Sequence, residues 1–342
     1  MTKKRFVGLG EILVRLSTEG YLRFAQADRF IVNYTGAEAN IAITLSYMGM
    51  DACMVTKLPD NDIGKCALRK LAMFGVDTSH ITFGGERIGL YYLERGVSQR
   101  PSRVIYDRKH SAFSEASVDE FNWDEILNGA DWFHFTGITP ALSENCAKIC
   151  EKACITAKQQ GVKVSCDLNY RKSLWTPEEA QETMRPLMQY VDILFANEES
   201  SEKALGIKMD KSSIVGVKPD TEAYAMLAHN LSGTFGFEKV AIPLREPISA
   251  SVNNWSGLLY SNGEISIAKK YTIQIVDRIG AGDSFAAGLI YGLLHGMDDH
   301  TALEFATAAS CLKHSIEFDF NLSTPDEVKA IMTGDASGWV LR

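Results

Sequence analysis

The chain has 342 residues, 46% hydrophobic and 23% charged, with a formal net charge of −8, the composition of an ordinary globular protein able to bury a large core. The acidic balance argues against a nucleic-acid partner and means that an anionic substrate needs locally placed cations. No unbroken apolar run is long enough to span a bilayer, so no membrane partner is expected.

In chain order, strand-like and helix-like runs alternate, which predicts an α/β fold with a mostly parallel sheet flanked by helices on both faces. Met1-Thr2-Lys3-Lys4-Arg5 is basic but leads into an alternating strand, not a signal-peptide apolar block, so a cytoplasmic location is expected. Strands are expected at 6–9, 52–57, 132–136, 162–167, 193–196, 240–243, 258–260 and 270–276. Helices are expected at 37–48, 64–74, 143–160, 177–189, 200–205, 223–231, from about 281 up to Gly296, and at 301–314. Residues 12–35 and 86–110 instead read as short alternating strands without a crossover helix, insertions that would form a small sheet projecting from the body. With no repeat or Pro-rich linker, one domain covering 1–342 is expected.

Gly8-Leu9-Gly10 lacks the third glycine of a dinucleotide-binding turn, and no GxxxxGK[ST] string is present. The seven cysteines, at 53, 66, 146, 150, 154, 166 and 311, contain no CxxC pair and fit reduced thiols. Cys146, Cys150 and Cys154 share one helical face, where core packing is expected because no adjacent fourth metal ligand exists.

The chemistry concentrates in Asp277-Arg278-Ile279-Gly280-Ala281-Gly282-Asp283-Ser284-Phe285-Ala286-Ala287-Gly288. A strand, a small-residue turn and a helix start aim unpaired N–H groups and the positive helix end at one point, where an anion is stabilised. Asp283 would stand where a hydroxyl meets a phosphate, placed to take its proton. Gly282 is expected to need an unusual backbone angle and to leave room for that phosphate. In Thr35-Gly36-Ala37-Glu38-Ala39-Asn40, Gly36 would let the backbone approach a ligand. Asn40 is either a site residue or a buried polar group at a helix entry.

This string resembles the C-terminal signature of the ribokinase-like sugar kinases, the PfkB carbohydrate kinase family, in which Thr-Thr stands at 278 and 279. The segment 35–42 resembles that family's Gly-Gly-x-x-x-Asn-x-Ala motif, and matches run from near residue 6 to about 325. The resemblance implies a ribokinase-like fold, ATP and Mg2+ as cofactors, and K+ near Asp277. It also implies that the small sheet is a lid over the sugar and a contact in a homo-oligomer. Asn197, Glu198 and Glu199 fall in the family's Asn-x-x-Glu region, with Ser200 in place of the Glu; Glu198 or Glu199 would then serve the metal, or else the acids simply cap the following helix.

Three groups bear on the sugar. Asp167, Asn169 and Arg171 follow a strand and share one side if the chain stays extended; Tyr106 and Arg108 share a face beside Tyr91. Singly, each Arg reads as a surface ion-pair former; jointly, two Arg and two Tyr suggest a carboxylate. These groups resemble the 2-keto-3-deoxygluconate kinase branch. That implies substrate contacts from Gly36, Tyr91, Tyr106, Arg108, Arg171 and Asp319, the last in Glu317-Phe318-Asp319-Phe320-Asn321 with Phe318 where the branch has Gly. Ser249, Ser251 and Asn254 would lie on the nucleotide side, and Pro243 stands where the family has Thr. The expected activity is ATP-dependent phosphorylation of a sugar acid, with a kinase of fructose or ribose, or a non-catalytic sugar-acid sensor, as alternatives.

Overall fold

Phe6 and Val7 are both fully buried yet belong to different cores, because successive side chains of a strand leave on opposite faces. Ala52 and Met54 likewise separate from Cys53 and Val55. The computed structural model describes residues 3–209 and 220–334. Its strands are β1 (Arg5–Leu9), β2 (Leu13–Ser17), β3 (Ile31–Thr35), β4 (Asp51–Leu58), β5 (Ile81–Phe83), β6 (Gly89–Glu94), β7 (Arg103–Asp107), β8 (Trp132–Thr136), β9 (Lys163–Asp167), β10 (Ile193–Phe195), β11 (Lys239–Pro247), β12 (Val252–Ser261), β13 (Glu264–Ile267) and β14 (Tyr271–Gln274).

Ten of these form the body sheet in the order β13-β12-β11-β10-β9-β8-β1-β4-β5, with β14 added to β12. Pairing is parallel from β11 through β5 and antiparallel at the β12 end. Helices Glu144–Gln159, Pro177–Leu187, Glu198–Leu205 and Thr221–Phe235 cover one face, and Ala37–Tyr47, Asp62–Met73, Ala281–Leu294 and Asp299–Lys313 cover the other. Cys146, Cys150 and Cys154 are fully buried in the first of these layers, as core packing requires.

The two insertions form a separate four-stranded sheet, β3-β2-β6-β7. Its alternation separates an inner face with Arg15, Asn33 and Tyr91, whose side chains reach Asp319 of the body, from an outer face with Val32, Tyr92 and Ile105. Strand β12 begins well before the expected 258, because Asn253 and Asn254 interrupt the apolar pattern while still pairing with both β11 and β14. Helix Pro325–Thr333 was not expected, although Thr324 and Glu327 form a reciprocal capping box with Pro325 in the first turn.

Candidate active site

The parallel strands present their carboxyl ends to one cleft of about 520 Å³, lined by Glu11 after β1, Asp167 closing β9, Asn197 after β10, Arg245 on β11, lid residues Tyr91, Tyr106 and Arg108, and the turn at 280–283. This is the edge at which open parallel sheets bind ligands.

Gly280 precedes helix Ala281–Leu294 with φ +80°, and a Cβ there would sit 1.9 Å from the Asp319 carbonyl oxygen. The unusual backbone angle therefore belongs to Gly280. Gly282 lies within the helix, and a Cβ added to it would meet nothing within 4 Å, so its value is the open space it leaves towards the cleft. Ala281 N–H bonds to Arg278 O and Ser284 N–H to Gly280 O; those of Gly282 and Asp283 have no acceptor among the described residues. Two orphan donors at a positive helix end form an anion seat.

Asp283 stands in that seat. Its Oδ2 accepts from Asn40 Nδ2 at 2.6 Å, and Asn40 Oδ1 accepts from Thr35 Oγ1 at 2.8 Å, so the residue at 35 orients the amide that orients the carboxylate. Burial pushes the Asp283 carboxyl up to about 7, assisted by the charges of Asp167 and Glu38 and opposed by the Asn40 hydrogen bond. Burial also raises Asp167 to about 6, against the Asn169 N–H bond and the Arg171 charge. A half-buried carboxylate poised near neutrality is suited to general-base work.

Gly36 lines the cleft and serves a further contact as well: a Cβ there would lie 2.3 Å from Glu11 O, so this glycine also admits the β1–lid connection. Chain extension ends at Asp167, and Asn169 turns with φ +35°; Asp167, Asn169 and Arg171 nevertheless all face the cleft. Arg171 has no ion-pair partner among the described residues. Arg108, by contrast, is buried with Nε 2.8 Å from Glu11 Oε2 and Nη2 on the same oxygen, which already balances its charge. Its guanidinium stands over the Tyr106 ring, and the Tyr106 and Tyr91 rings meet at 5.7 Å.

Asp319 accepts from Tyr91 OH at 2.6 Å and from Arg15 Nη1 at 2.8 Å, and Arg15 Nη2 lies 2.5 Å from Asp277. Arg15 thus ties the lid to both loops of the anion seat. Lys313 Nζ donates to Asp277 O at 3.3 Å, so the residue expected near K+ already holds two cations of the chain itself. Phe318 has φ +66°, the left-handed region that favours glycine, with the Arg15 guanidinium 5.5 Å above its ring.

Asn197 caps helix Glu198–Leu205 by accepting from Ser200 N–H at 2.8 Å, and Glu198 accepts from Tyr224 OH at 3.0 Å; all of these but Ser200 line the cleft. Ser200 is buried, with its Oγ accepting from Tyr170 N–H at 3.3 Å. Ser249, Ser251 and Asn254 lie outside the lining. Ser249 Oγ closes its own turn, Ser251 Oγ accepts from Ser98 N–H in the lid loop, and Asn254 bonds Glu246 and Thr272. Sequence reasoning missed Glu11, Arg15, Glu38, Tyr224 and Arg245. Glu38 beside Gly36 was the readable one; its buried carboxylate accepts three bonds from Thr136 and Thr139.

Residues 5–315 match the pfkB family carbohydrate kinase, and the chain belongs to that family. Its fold is the ribokinase-like α/β fold with a separate small sheet. The chain is similar to the crystal structure of 2-dehydro-3-deoxygluconokinase from Thermotoga maritima, with 51% identity, coverage of 97% of this chain and 100% of the other, and a TM-score of 0.93. It is 32% identical to the 2-dehydro-3-deoxygalactonokinase of Haloferax volcanii over 97% of this chain and 98% of that one. A protein from E. coli solved in complex with ATP and Mg2+ shares the fold, with a TM-score of 0.77, 22% identity and coverage of 96% and 99%.

Proposed function

We propose that the chain uses ATP to phosphorylate the primary hydroxyl of a 2-dehydro-3-deoxy sugar acid, 2-dehydro-3-deoxygluconate first among candidates. The carrying observation is Asp283, half-buried and raised to about 7 beside two unsatisfied N–H groups under a lid. The hydroxyl oxygen bonds to the γ-phosphorus as its proton passes to Asp283, and the bond from that phosphorus to the bridging oxygen breaks to release ADP. Gly282 and Asp283 N–H hold the phosphoryl oxygens through the transfer. Arg171, without a carboxylate partner, binds the acid group of the substrate, Tyr106 borders the same cleft, and Arg108 with Glu11 shapes its wall.

Magnesium suits the hard carboxylate donors Glu198 and Glu199 at the cleft rim and would neutralise phosphate charge there. Asp277 needs no potassium in this reading, and exchanging K+ for Na+ should leave turnover unchanged. Body and lid work as one unit. The lid's outer face, where Val32 and Ile105 are more than half exposed and Phe30 packs on Tyr92, suits a second copy; Ile105→Glu should shift the mass measured by light scattering. Free thiols at all seven cysteines support a reducing, cytoplasmic setting.

The test is turnover of 2-dehydro-3-deoxygluconate with ATP, read by 31P NMR of the product, in wild type and Asp283→Asn. A phosphate ester on the primary carbon, absent from the Asn variant, is expected. An Asn variant that turns over like wild type removes Asp283 from the chemistry.

A further inference from the structure

The cleft holds two further arginines, Arg245 and Arg278. Arg278 occupies the first of the two positions at which the chain departs from the family signature, two residues before Gly280. Arg245 lies on β11, two residues after the proline that replaces the family's threonine. Both line the cleft with the turn at 280–283, and neither has an ion pair among the described residues. Arg15, Arg87, Arg95, Arg100 and Arg108, in contrast, all face carboxylates.

Each guanidinium is held by one neutral acceptor. Arg278 Nη2 donates to Ala250 O at 2.9 Å, and Arg245 Nε donates to the Asn253 side-chain oxygen at 3.0 Å in the amide orientation that satisfies both ends of Asn253. The remaining donors of both forks are left for a ligand. Asp277 offsets the charge of Arg278 only in part, because its carboxylate is turned to Arg15. Burial and the neighbouring Arg245 charge weaken the hold of Arg278 on its proton against the pull of Asp277, and His314, depressed chiefly by burial, is lowered further by both arginines; its ring packs on Trp255 at 4.9 Å. Two partly desolvated like charges with no carboxylate between them cost stability until an anion enters.

We infer that Arg245 and Arg278 form a two-guanidinium seat for the phosphate chain of the nucleotide, continuing the anion seat at Gly282 and Asp283. This rests on the ATP-dependent reading above. The seat is built from β11, the loop before Gly280 and body residues such as Trp255 and His314, not from the lid strands that carry Tyr91 and Tyr106. Planar forks match phosphate oxygens bidentately, and charge builds on the bridging oxygen as its bond to the γ-phosphorus breaks. Both residues would touch the nucleotide.

The experiment measures binding of MgADP, of inorganic tripolyphosphate and of the sugar acid by calorimetry to wild type, Arg278→Met, Arg245→Met and the two Lys variants, with melting curves for each. Each Met variant should bind MgADP and tripolyphosphate about tenfold to a hundredfold more weakly, with sugar-acid binding within about twofold. Lys should restore part of the loss, because it keeps the charge and lacks the fork. Without ligand, the Met variants should melt no lower than wild type, since they relieve repulsion. Unchanged MgADP and tripolyphosphate binding in both Met variants, or a loss confined to the sugar acid, overturns the inference. If wild type turns over no sugar yet binds tripolyphosphate through these arginines, the seat stands and the kinase reading falls.

Discussion

Replacing Asp283 by Asn should destroy activity and stabilise the fold, and the stabilisation should depend on pH. Folding raises this carboxyl from an ordinary 3.8 to about 7, chiefly through burial. A group raised in this way contributes stability that is fully present below its unfolded value and is lost as pH rises through its folded value. At pH 8 the wild type therefore carries an ionised, half-buried carboxylate at a cost of at most about 4 kcal/mol, whereas at pH 5 the cost is at most about 1.5 to 2 kcal/mol. Asn cannot ionise and can still accept from Asn40, so it escapes the cost. Urea denaturation of both proteins at pH 5 and pH 8 should show the Asn variant gaining about 2 to 3 kcal/mol on wild type between the two. Turnover should fall about 100-fold to 10,000-fold at pH 8, where the wild-type carboxylate is ionised, and by much less at pH 5, where the wild type is itself mostly protonated. A stability difference that does not change with pH, or an Asn variant less stable at pH 8, would refute the buried-base argument.

For the wild type, kcat/KM should rise with pH and level off above about 7, because Asp283 must be ionised to take the proton. A flat profile from pH 5 to 9 would contradict that assignment. The two glycines of the turn should separate. Gly280→Ala places a methyl 1.9 Å from Asp319 O at φ +80° and should lower both melting temperature and activity. Gly282→Ala meets no protein atom and should keep the melting temperature while raising the KM for ATP. Equal losses in both would mean that Gly282 is structural.

Much of the body was legible because its central strands are buried on both faces and bounded by helices with clear caps, as at Asn61, Thr176 and Asp298. The anion seat was legible because it is local: Gly280, Gly282 and Asp283 act within one turn. Arg15 was not, since an arginine in an alternating strand reads as a solvated side chain. Only the fold brings it onto Asp277 and Asp319, 262 and 304 residues away. The role of Arg108 was half legible: the shared face with Tyr106 follows from alternation, but the Glu11 carboxylate that neutralises it arrives from the other end of the lid. Ser249 and Ser251 were drawn to the nucleotide side by resemblance, whereas their hydroxyls accept backbone N–H bonds in a turn against the lid loop.

Whether the cleft transfers phosphate to a sugar acid is decided by ADP release across matched substrates. The catalytic efficiencies of wild type and Arg171→Ala should be compared on 2-dehydro-3-deoxygluconate, 2-dehydro-3-deoxygalactonate, fructose and ribose. Wild type should prefer the acids, 2-dehydro-3-deoxygluconate above all, and the Ala variant should lose about tenfold to 150-fold on the acids and much less on the neutral sugars. Higher wild-type efficiency on fructose or ribose, with no selective loss in the variant, would contradict this.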